Sequence, residues 1–205
     1  MNWDERFAGE EYLFGTEPAQ FLKRHAHRLS PGAETLVVAD GEGRNSVWLA
    51  KMGHRVTAWD GSPVAVEKAR RLAQTRGVDV TLSVHNAAEY PWPKARFDAV
   101  IGIFIHFAPP KLRDEMFAGM IRTTRPGGIV MLHGYSVEQL KHGTGGPSAA
   151  ENLYTEELLR DRFAGTDILH FESYEADISE GTAHVGRSAL IDLVARGVAP
   201  GFCPS

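Results

Sequence analysis

Hydrophobic residues along the chain gather in short uninterrupted runs that end at turn-forming residues. The first run covers residues 35–39 and stops at Asp40-Gly41. An apolar run of this length is typical of a parallel strand that is buried on both faces. The same pattern predicts further strands over residues 55–59, 80–84, 98–104 and 129–133.

The segments between these runs carry apolar residues at helical spacing. They predict helices over residues 45–52, 64–76, 110–124 and 155–163. The second helix has the clearest boundaries, because Ser62 is a favourable N-cap, Pro63 fits a first helical turn and Gly77 can end the helix.

Strands and helices alternate along most of the chain. This order predicts an α/β fold with a doubly wound, mostly parallel sheet, because each parallel crossover needs a covering helix. Two final β segments, 168–174 and 188–195, have no helix between them. We therefore expect an antiparallel hairpin at one edge and seven strands in all, within a single domain that spans residues 1–205.

Composition and charge narrow the class of protein. The 205 residues are 43% hydrophobic and carry a formal net charge of −4, a charge that gives no positive field for nucleic acid. The single cysteine, Cys203, cannot form an internal disulfide, which favours a reducing cytoplasm. The apolar stretch 99–108 is too short to cross a bilayer. We expect a cytoplasmic protein without a membrane or nucleic-acid partner.

Candidate chemistry lies at the carboxyl ends of the predicted strands, where open α/β sheets bind ligands. The first strand runs into residues 39–43, where Gly41 and Gly43 allow a tight turn and close backbone approach. Asp60 ends the second strand and could accept hydrogen bonds from a ribose. These features favour an adenosine-containing ligand. The alternative is that the glycines serve only the turn and that Asp60 caps the next helix.

The loop sequence discriminates between adenosine cofactors. A dinucleotide fingerprint would have a third glycine at the position of Ser46. Asp40 and Glu42 would also repel a pyrophosphate. An acidic loop suits the sulfonium and ammonium groups of S-adenosylmethionine, so this cofactor is preferred to a nicotinamide dinucleotide.

The chain resembles the class I S-adenosylmethionine-dependent methyltransferases, and among them the tellurite-resistance and thiopurine methyltransferase-like branch. The resemblance covers nearly the whole chain and implies a Rossmann-like fold. It is carried by residues 41–50 (GEGRNSVWLA), 54–69 (HRVTAWDGSPVAVEKA), 97–100 (FDAV), 125–128 (RPGG), 3–7 (WDERF) and 12–18 (YLFGTEP).

The resemblance implies a role for individual residues around the cofactor. The loop would wrap the methionine moiety, Asp60 would hold the ribose with Gly61 beside it, and the residues after the third strand would meet the adenine. Residues 1–30 would form a lid. The cofactor-binding residues implied in this way are Ala39, Asp40, Gly41, Asp60, Gly61, Asn86, Ala87, Ile103, Phe14 and Phe21.

Two positions depart from the family pattern. Ala39 replaces the first loop glycine, and Val37 stands where the strand usually has an acid. The loss of that acid removes an anchor for the methionine ammonium group. We expect Asp40 to supply part of the missing negative charge, because it is adjacent to Ala39.

Histidines supply the candidates on the acceptor side. His106 could act as a proton acceptor or position the substrate, or it could simply bond loop backbone. His133 fits the structural alternative better. A metal site made of His106, His133 and His184 lacks helical ligand spacing, so no metal is expected.

These observations predict transfer of the S-adenosylmethionine methyl group to a small-molecule acceptor by in-line displacement. A monomer or a homodimer would suffice for this reaction. Two alternatives stay open, a non-catalytic or regulatory protein that keeps the cofactor fold and, less favoured, a nicotinamide-dependent oxidoreductase.

Overall fold

A computed structural model describes residues 2–197; Cys203 lies outside the described residues. Seven strands form one sheet in the order β3-β2-β1-β4-β5-β7-β6. Their bounds are β1 Glu34–Val38, β2 Arg55–Asp60, β3 Thr81–Val84, β4 Phe97–Ile103, β5 Thr124–Tyr135, β6 Asp167–Glu180 and β7 His184–Arg196.

The first five strands pair in parallel, and the last two are antiparallel, with β6 at the sheet edge. The strand order reverses between β1 and β4, so the carboxyl ends of β1, β2 and β4 open onto one crevice. The predicted mostly parallel, seven-stranded Rossmann-like sheet with an antiparallel edge pair is confirmed.

Six α-helices connect or cover the strands in the described chain. Their bounds are α1 Trp3–Phe7, α2 Gln20–His25, α3 Arg44–Lys51, α4 Pro63–Arg76, α5 Pro110–Thr123 and α6 Glu156–Arg162. Helix α4 begins as predicted, since the Ser62 side chain accepts a hydrogen bond from the Ala65 amide and Gly77 ends the helix in the left-handed region. No helix of the described residues is long and apolar enough to span a bilayer.

Two hydrophobic clusters cover the two faces of the sheet. One packs Phe117 of α5 and Leu159 of α6 against alternate strand residues such as Val100. The other cluster packs Phe21 of α2 and Leu49 of α3 against the strand residues that point to the opposite face of the sheet. Because both faces are covered, the strands read as continuous apolar runs in the sequence.

The strands that contain polar residues are longer than the sequence predicts. Strand β5 begins at Thr124, ahead of the predicted 129–133, because Thr124 already pairs with Phe97 of β4. Residues 125–128 form an irregularity in the ladder before the pairing resumes at Ile129. Strands β6 and β7 also extend beyond 168–174 and 188–195. Most of their added residues alternate between exposed and half-buried positions, and the buried ones, Glu180 and His184, are polar, so no apolar run marks them.

Candidate functional site

The loop between β1 and α3 forms the floor of the crevice. Gly43 caps α3 with φ +91°, and a Cβ atom there would lie 2.7 Å from the Cβ of Ala69 in α4. Only glycine therefore fits both the backbone angle and the helix contact. Gly41 also has a positive φ, and Phe7 of α1 lies over it.

Asp60 lies at the carboxyl end of β2 and points toward this loop. One carboxylate oxygen accepts a hydrogen bond from the Gly41 amide at 2.8 Å, and the other accepts one from the Ser62 amide at 2.8 Å. Burial raises the pKa of Asp60 above its ordinary value, and the hydrogen bonds from these amides oppose that shift. The carboxylate is thus held against the loop where a ribose is expected.

Asp40 is turned away from the crevice and toward α3. Its carboxylate accepts hydrogen bonds from the amide and the hydroxyl of Ser46, in the first turn of that helix. Burial raises the pKa of Asp40 to about 7, and the nearby Asp60 adds to the shift. In this geometry Asp40 stabilises the helix N-terminus, and contact with a methionine ammonium group stays a prediction.

Two residues beside the crevice adopt the left-handed conformation that disfavours side chains. Ala39 has φ +48° and Phe104, directly after β4, has φ +55°. A glycine at position 39 would adopt this angle without strain, which explains why the family pattern has one there. Strained residues of this kind cluster at functional sites.

The remaining implied cofactor residues lie around the same strand ends. Gly61 follows Asp60, and its Cα faces the loop after β3. A Cβ atom at this position would lie 3.8 Å from the His85 carbonyl oxygen. Asn86 is exposed and its side chain accepts a hydrogen bond from the Ala88 amide. Ala87 is buried beside it, and Ile103 is buried at the end of β4.

The N-terminal segment covers the crevice with aromatic rings. Phe14 contacts Phe7 and His184, with ring centroids 6.1 Å and 4.5 Å apart. Phe21 exposes only 1% of its surface and stacks on His133 at 4.9 Å. Phe21 is therefore part of the packing beneath the segment, whereas Phe14 lies nearer its surface.

A buried lysine that the sequence analysis missed fastens this segment to the loop. The Lys68 ammonium group lies 2.5 Å from a carboxylate oxygen of Glu42. It also donates hydrogen bonds to the backbone carbonyls of Gly9 and Glu11, at 2.9 Å and 2.6 Å. The available signal was its position, since Lys68 falls within the apolar stripe of α4.

A second buried ion pair joins the loop to the edge hairpin. Arg44, the first residue of α3, lies 2.8 Å from Glu180 at the end of β6. The same glutamate accepts a hydrogen bond from the Gln20 amide, and the Thr182 amide donates to the Leu13 carbonyl. No sequence pattern predicts this pair, because its partners are 136 positions apart.

His106 is buried and both of its ring nitrogens meet backbone groups. Nδ1 lies 2.9 Å from the Asn152 carbonyl oxygen, and Nε2 accepts a hydrogen bond from the Tyr135 amide at 2.7 Å. Burial lowers the pKa of His106 to about 4. This geometry matches the structural alternative of a loop-bonded histidine, and it leaves no ring nitrogen for a substrate.

Comparison with known proteins agrees with this architecture. Residues 36–128 match the family described as "Methyltransferase domain". Over 113 residues the chain is 31% identical to an uncharacterized protein of Mycobacterium tuberculosis, which covers 54% of this chain and 40% of that protein. Over 89 residues it is 29% identical to the 2-heptyl-1-hydroxyquinolin-4(1H)-one methyltransferase of Mycobacteroides abscessus, covering 42% and 39%. The chain thus matches less than half the length of these curated relatives.

Solved structures share the fold at low sequence identity. One such structure comes from a study of the conversion of a disulfide bond into a thioacetal group during echinomycin biosynthesis. It has a TM-score of 0.77 and 20% identity to this chain, and the match covers 96% of this chain and 91% of that one. TehB from Haemophilus influenzae has a TM-score of 0.69 and 14% identity, over 86% and 60%. Residues 36–128 thus resemble a methyltransferase domain, and the chain shares its Rossmann-like fold with these solved structures.

Proposed function

We propose that the protein transfers the methyl group of S-adenosylmethionine to a small-molecule acceptor by in-line displacement. The fit of the cofactor to this chain rests on Asp60, whose carboxylate is held at the end of β2, and on the glycine turn beside it. When bound, the cofactor supplies an electrophilic methyl group on a sulfonium centre. The bound cofactor would be surrounded by residues 39–43, Gly61, Asn86 and Ala87.

Two buried polar groups carry the proposal for the acceptor. The Tyr135 hydroxyl and Nδ1 of His184 make no hydrogen bond of ordinary geometry among the described residues. The Ser188 hydroxyl lies near Tyr135 and donates to the Gly186 carbonyl, and its oxygen stays available as a weak acceptor for the Tyr135 hydroxyl. Buried polar groups are normally fully satisfied, so this hydroxyl and this imidazole favour a ligand that pairs with them.

These two groups lie next to the strained end of β4. The ring centroid of Phe104 is 4.8 Å from that of Tyr135 and 4.1 Å from that of His184. Because Phe104 directly follows Ile103, the two groups flank the part of the crevice where a methyl group would be presented. An acceptor here would be enclosed by aromatic rings, which suits a small molecule and leaves little room for a polymer.

Both polar groups stay neutral near pH 7. Burial lowers the pKa of His184 to about 2, helped by the positive charge of Arg44. Burial raises the pKa of Tyr135 to about 12. We therefore assign them to orientation of the acceptor rather than to proton removal. A soft acceptor such as a thiol, which needs little help from a base, fits this site best, in keeping with the tellurite-resistance and thiopurine methyltransferase-like branch.

An acceptor screen tests this proposal. We expect the protein to form S-adenosylhomocysteine with 4-nitrothiophenol or thiopurines as acceptors. Tyr135→Phe should lower kcat/KM about tenfold, as loss of one hydrogen bond to a positioned group predicts. Tyr90→Phe, which removes a hydroxyl in the loop after β3, serves as the matched control. Methylation of protein or RNA with no turnover of any small molecule would contradict the proposal.

A further inference from the structure

A cluster of imidazole and carboxylate groups lies apart from the crevice, where α2 packs on the antiparallel edge of the sheet. Asp192 of β7 pairs in register with His133 of β5 and with Glu172 of β6. Residues opposite each other in antiparallel strands share one face, and His170 lies on that face two positions before Glu172. His25 of α2 is placed over the same face, because its ring lies 4.5 Å from that of His170.

Three of these residues bring their ligand atoms together. One nitrogen of His25, one nitrogen of His170 and one carboxylate oxygen of Asp192 lie within 4.8 Å of one another. The closest approach given is 3.9 Å, between Nε2 of His25 and Oδ2 of Asp192. Ligands of a tetrahedral zinc ion with bonds of about 2.1 Å are roughly 3.4 Å apart, so side-chain shifts of about 1 Å would complete the geometry.

An unpaired nitrogen of His170 gives a second indication of a ligand. Nε2 of His170 is buried and makes no hydrogen bond among the described residues, and the Glu172 carboxylate lies 3.7 Å from it. His25 exposes only 7% of its surface and brings Nε2, rather than its unpaired Nδ1, to Asp192. A buried imidazole nitrogen without a partner costs free energy, and a metal ion would use the lone pair of Nε2 in His170.

Asp192 is fully buried and keeps capacity for one more bond. His133 lies 2.6 Å from Oδ1, Tyr174 donates to Oδ1 at 3.3 Å, and Arg24 donates to Oδ2 at 2.8 Å. A carboxylate offers about four lone-pair positions, so three contacts leave one for a cation. These partners also orient the carboxylate, as outer-shell groups do around metal ligands.

We propose that His25, His170 and Asp192 bind a divalent transition-metal ion such as Zn²⁺. Two imidazoles and one carboxylate suit zinc, nickel, cobalt or copper, whereas Mg²⁺ and Ca²⁺ prefer oxygen ligands alone. The positive charge of Arg24 beside Oδ2 weakens the site relative to a cysteine-rich zinc cage. The sequence analysis expected no metal, because it considered His106, His133 and His184. Among the described residues, the possible ligand set is formed by His25 and His170 with Asp192.

A metal here would join the N-terminal segment to the edge hairpin. The three ligands come from α2, β6 and β7, and α2 also carries Phe21, which stacks on His133. Binding would thus stiffen the packing below the crevice. This role does not depend on the proposed methyl transfer, so the two proposals can fail separately.

Calorimetric titration of the metal-free protein with ZnCl₂ tests the site. We expect one equivalent to bind, with a rise in melting temperature. His170→Gln should weaken the affinity at least about tenfold, since one of three ligands is lost. His170 is half-buried, so this variant should fold. His142→Gln, which replaces a histidine in the loop before α6, is the matched control and should bind as the wild type does.

Titration with CoCl₂ reports the coordination directly. Two imidazoles and a carboxylate should give visible absorption bands of the bound cobalt in the wild type and in His142→Gln, and these bands should be absent from His170→Gln. The proposal is overturned if the wild type binds no zinc at 100-fold molar excess. It is equally overturned if His170→Gln and the wild type bind zinc with the same affinity.

Discussion

Some residues lie where a catalytic group is expected but hold the surrounding backbone instead. His106 follows β4, where a catalytic group would be expected, yet its two nitrogens hold the Asn152 carbonyl and the Tyr135 amide. The sequence could place this histidine at a strand end, but it could not show which partners its ring would meet. Those partners come from β5 and from a loop 46 positions away, which no local pattern encodes.

The buried state of His106 predicts a pH-dependent stability. Its pKa is about 4 in the folded protein and about 6.5 when unfolded. The unfolded chain therefore binds the proton more readily than the folded protein does. The free energy of unfolding that neutral His106 contributes is present above pH 6.5 and is lost as the pH falls from 6.5 toward 4. In His106→Gln the contribution is absent. The wild-type advantage in free energy of unfolding, measured with urea, should shrink by about 3 kcal/mol over this range.

Parallel pH curves for the wild type and His106→Gln would contradict this account. The difference between the two proteins is the relevant quantity, because other groups titrate in the same range. Asp40, with its pKa raised to about 7, acts in the opposite direction. Its effect is present in both proteins and cancels in the comparison.

At the level of elements, two buried ion pairs hold the N-terminal segment in place over the crevice. Lys68 of α4 joins Glu42 to the backbone of residues 9–11, and Arg44 of α3 joins Glu180 of the edge hairpin. Glu42 lies in the loop after β1, and Arg44 follows this loop as the first residue of α3. The loop is thus linked to the N-terminal segment on one side and to the edge hairpin on the other.

Removal of the Lys68 ammonium group should detach the N-terminal segment from the loop after β1. Lys68→Met leaves the Glu42 carboxylate buried without its partner, which typically costs about 3–5 kcal/mol in free energy of unfolding. Amide hydrogen exchange of residues 7–15 should rise more than that of β4. Lys51→Met, at an exposed position on α3, is the control.

The double variant Lys68→Met/Glu42→Gln separates charge from packing. It removes the unpaired charge, so we expect it to recover part of the lost stability while exchange of residues 7–15 stays fast. Equal exchange in Lys68→Met and the wild type would show that Lys68 does not hold the segment.

For the whole molecule, the architecture was predictable because both faces of the sheet are covered. Continuous apolar runs such as 35–39 and capping signals such as Ser62 mark the parallel core. The edge hairpin was predicted too short, because one of its faces is partly exposed and its residues alternate. The ion pairs and the His25, His170 and Asp192 cluster were not predictable, since they join residues that the fold alone brings together.

We propose that S-adenosylmethionine binds at the ends of β1 and β2 through Asp60. Isothermal titration of the wild type and Asp60→Ala with S-adenosylhomocysteine measures this binding, with NAD as the comparison ligand. We predict one binding site, no binding of NAD, and an affinity loss of about tenfold or more in Asp60→Ala. The reason is that a half-buried carboxylate such as that of Asp60 contributes about 1.5–3 kcal/mol per hydrogen bond to a ligand. No binding at about 1 mM ligand, which corresponds to roughly −4 kcal/mol, would contradict the account. So would equal affinity of the two proteins.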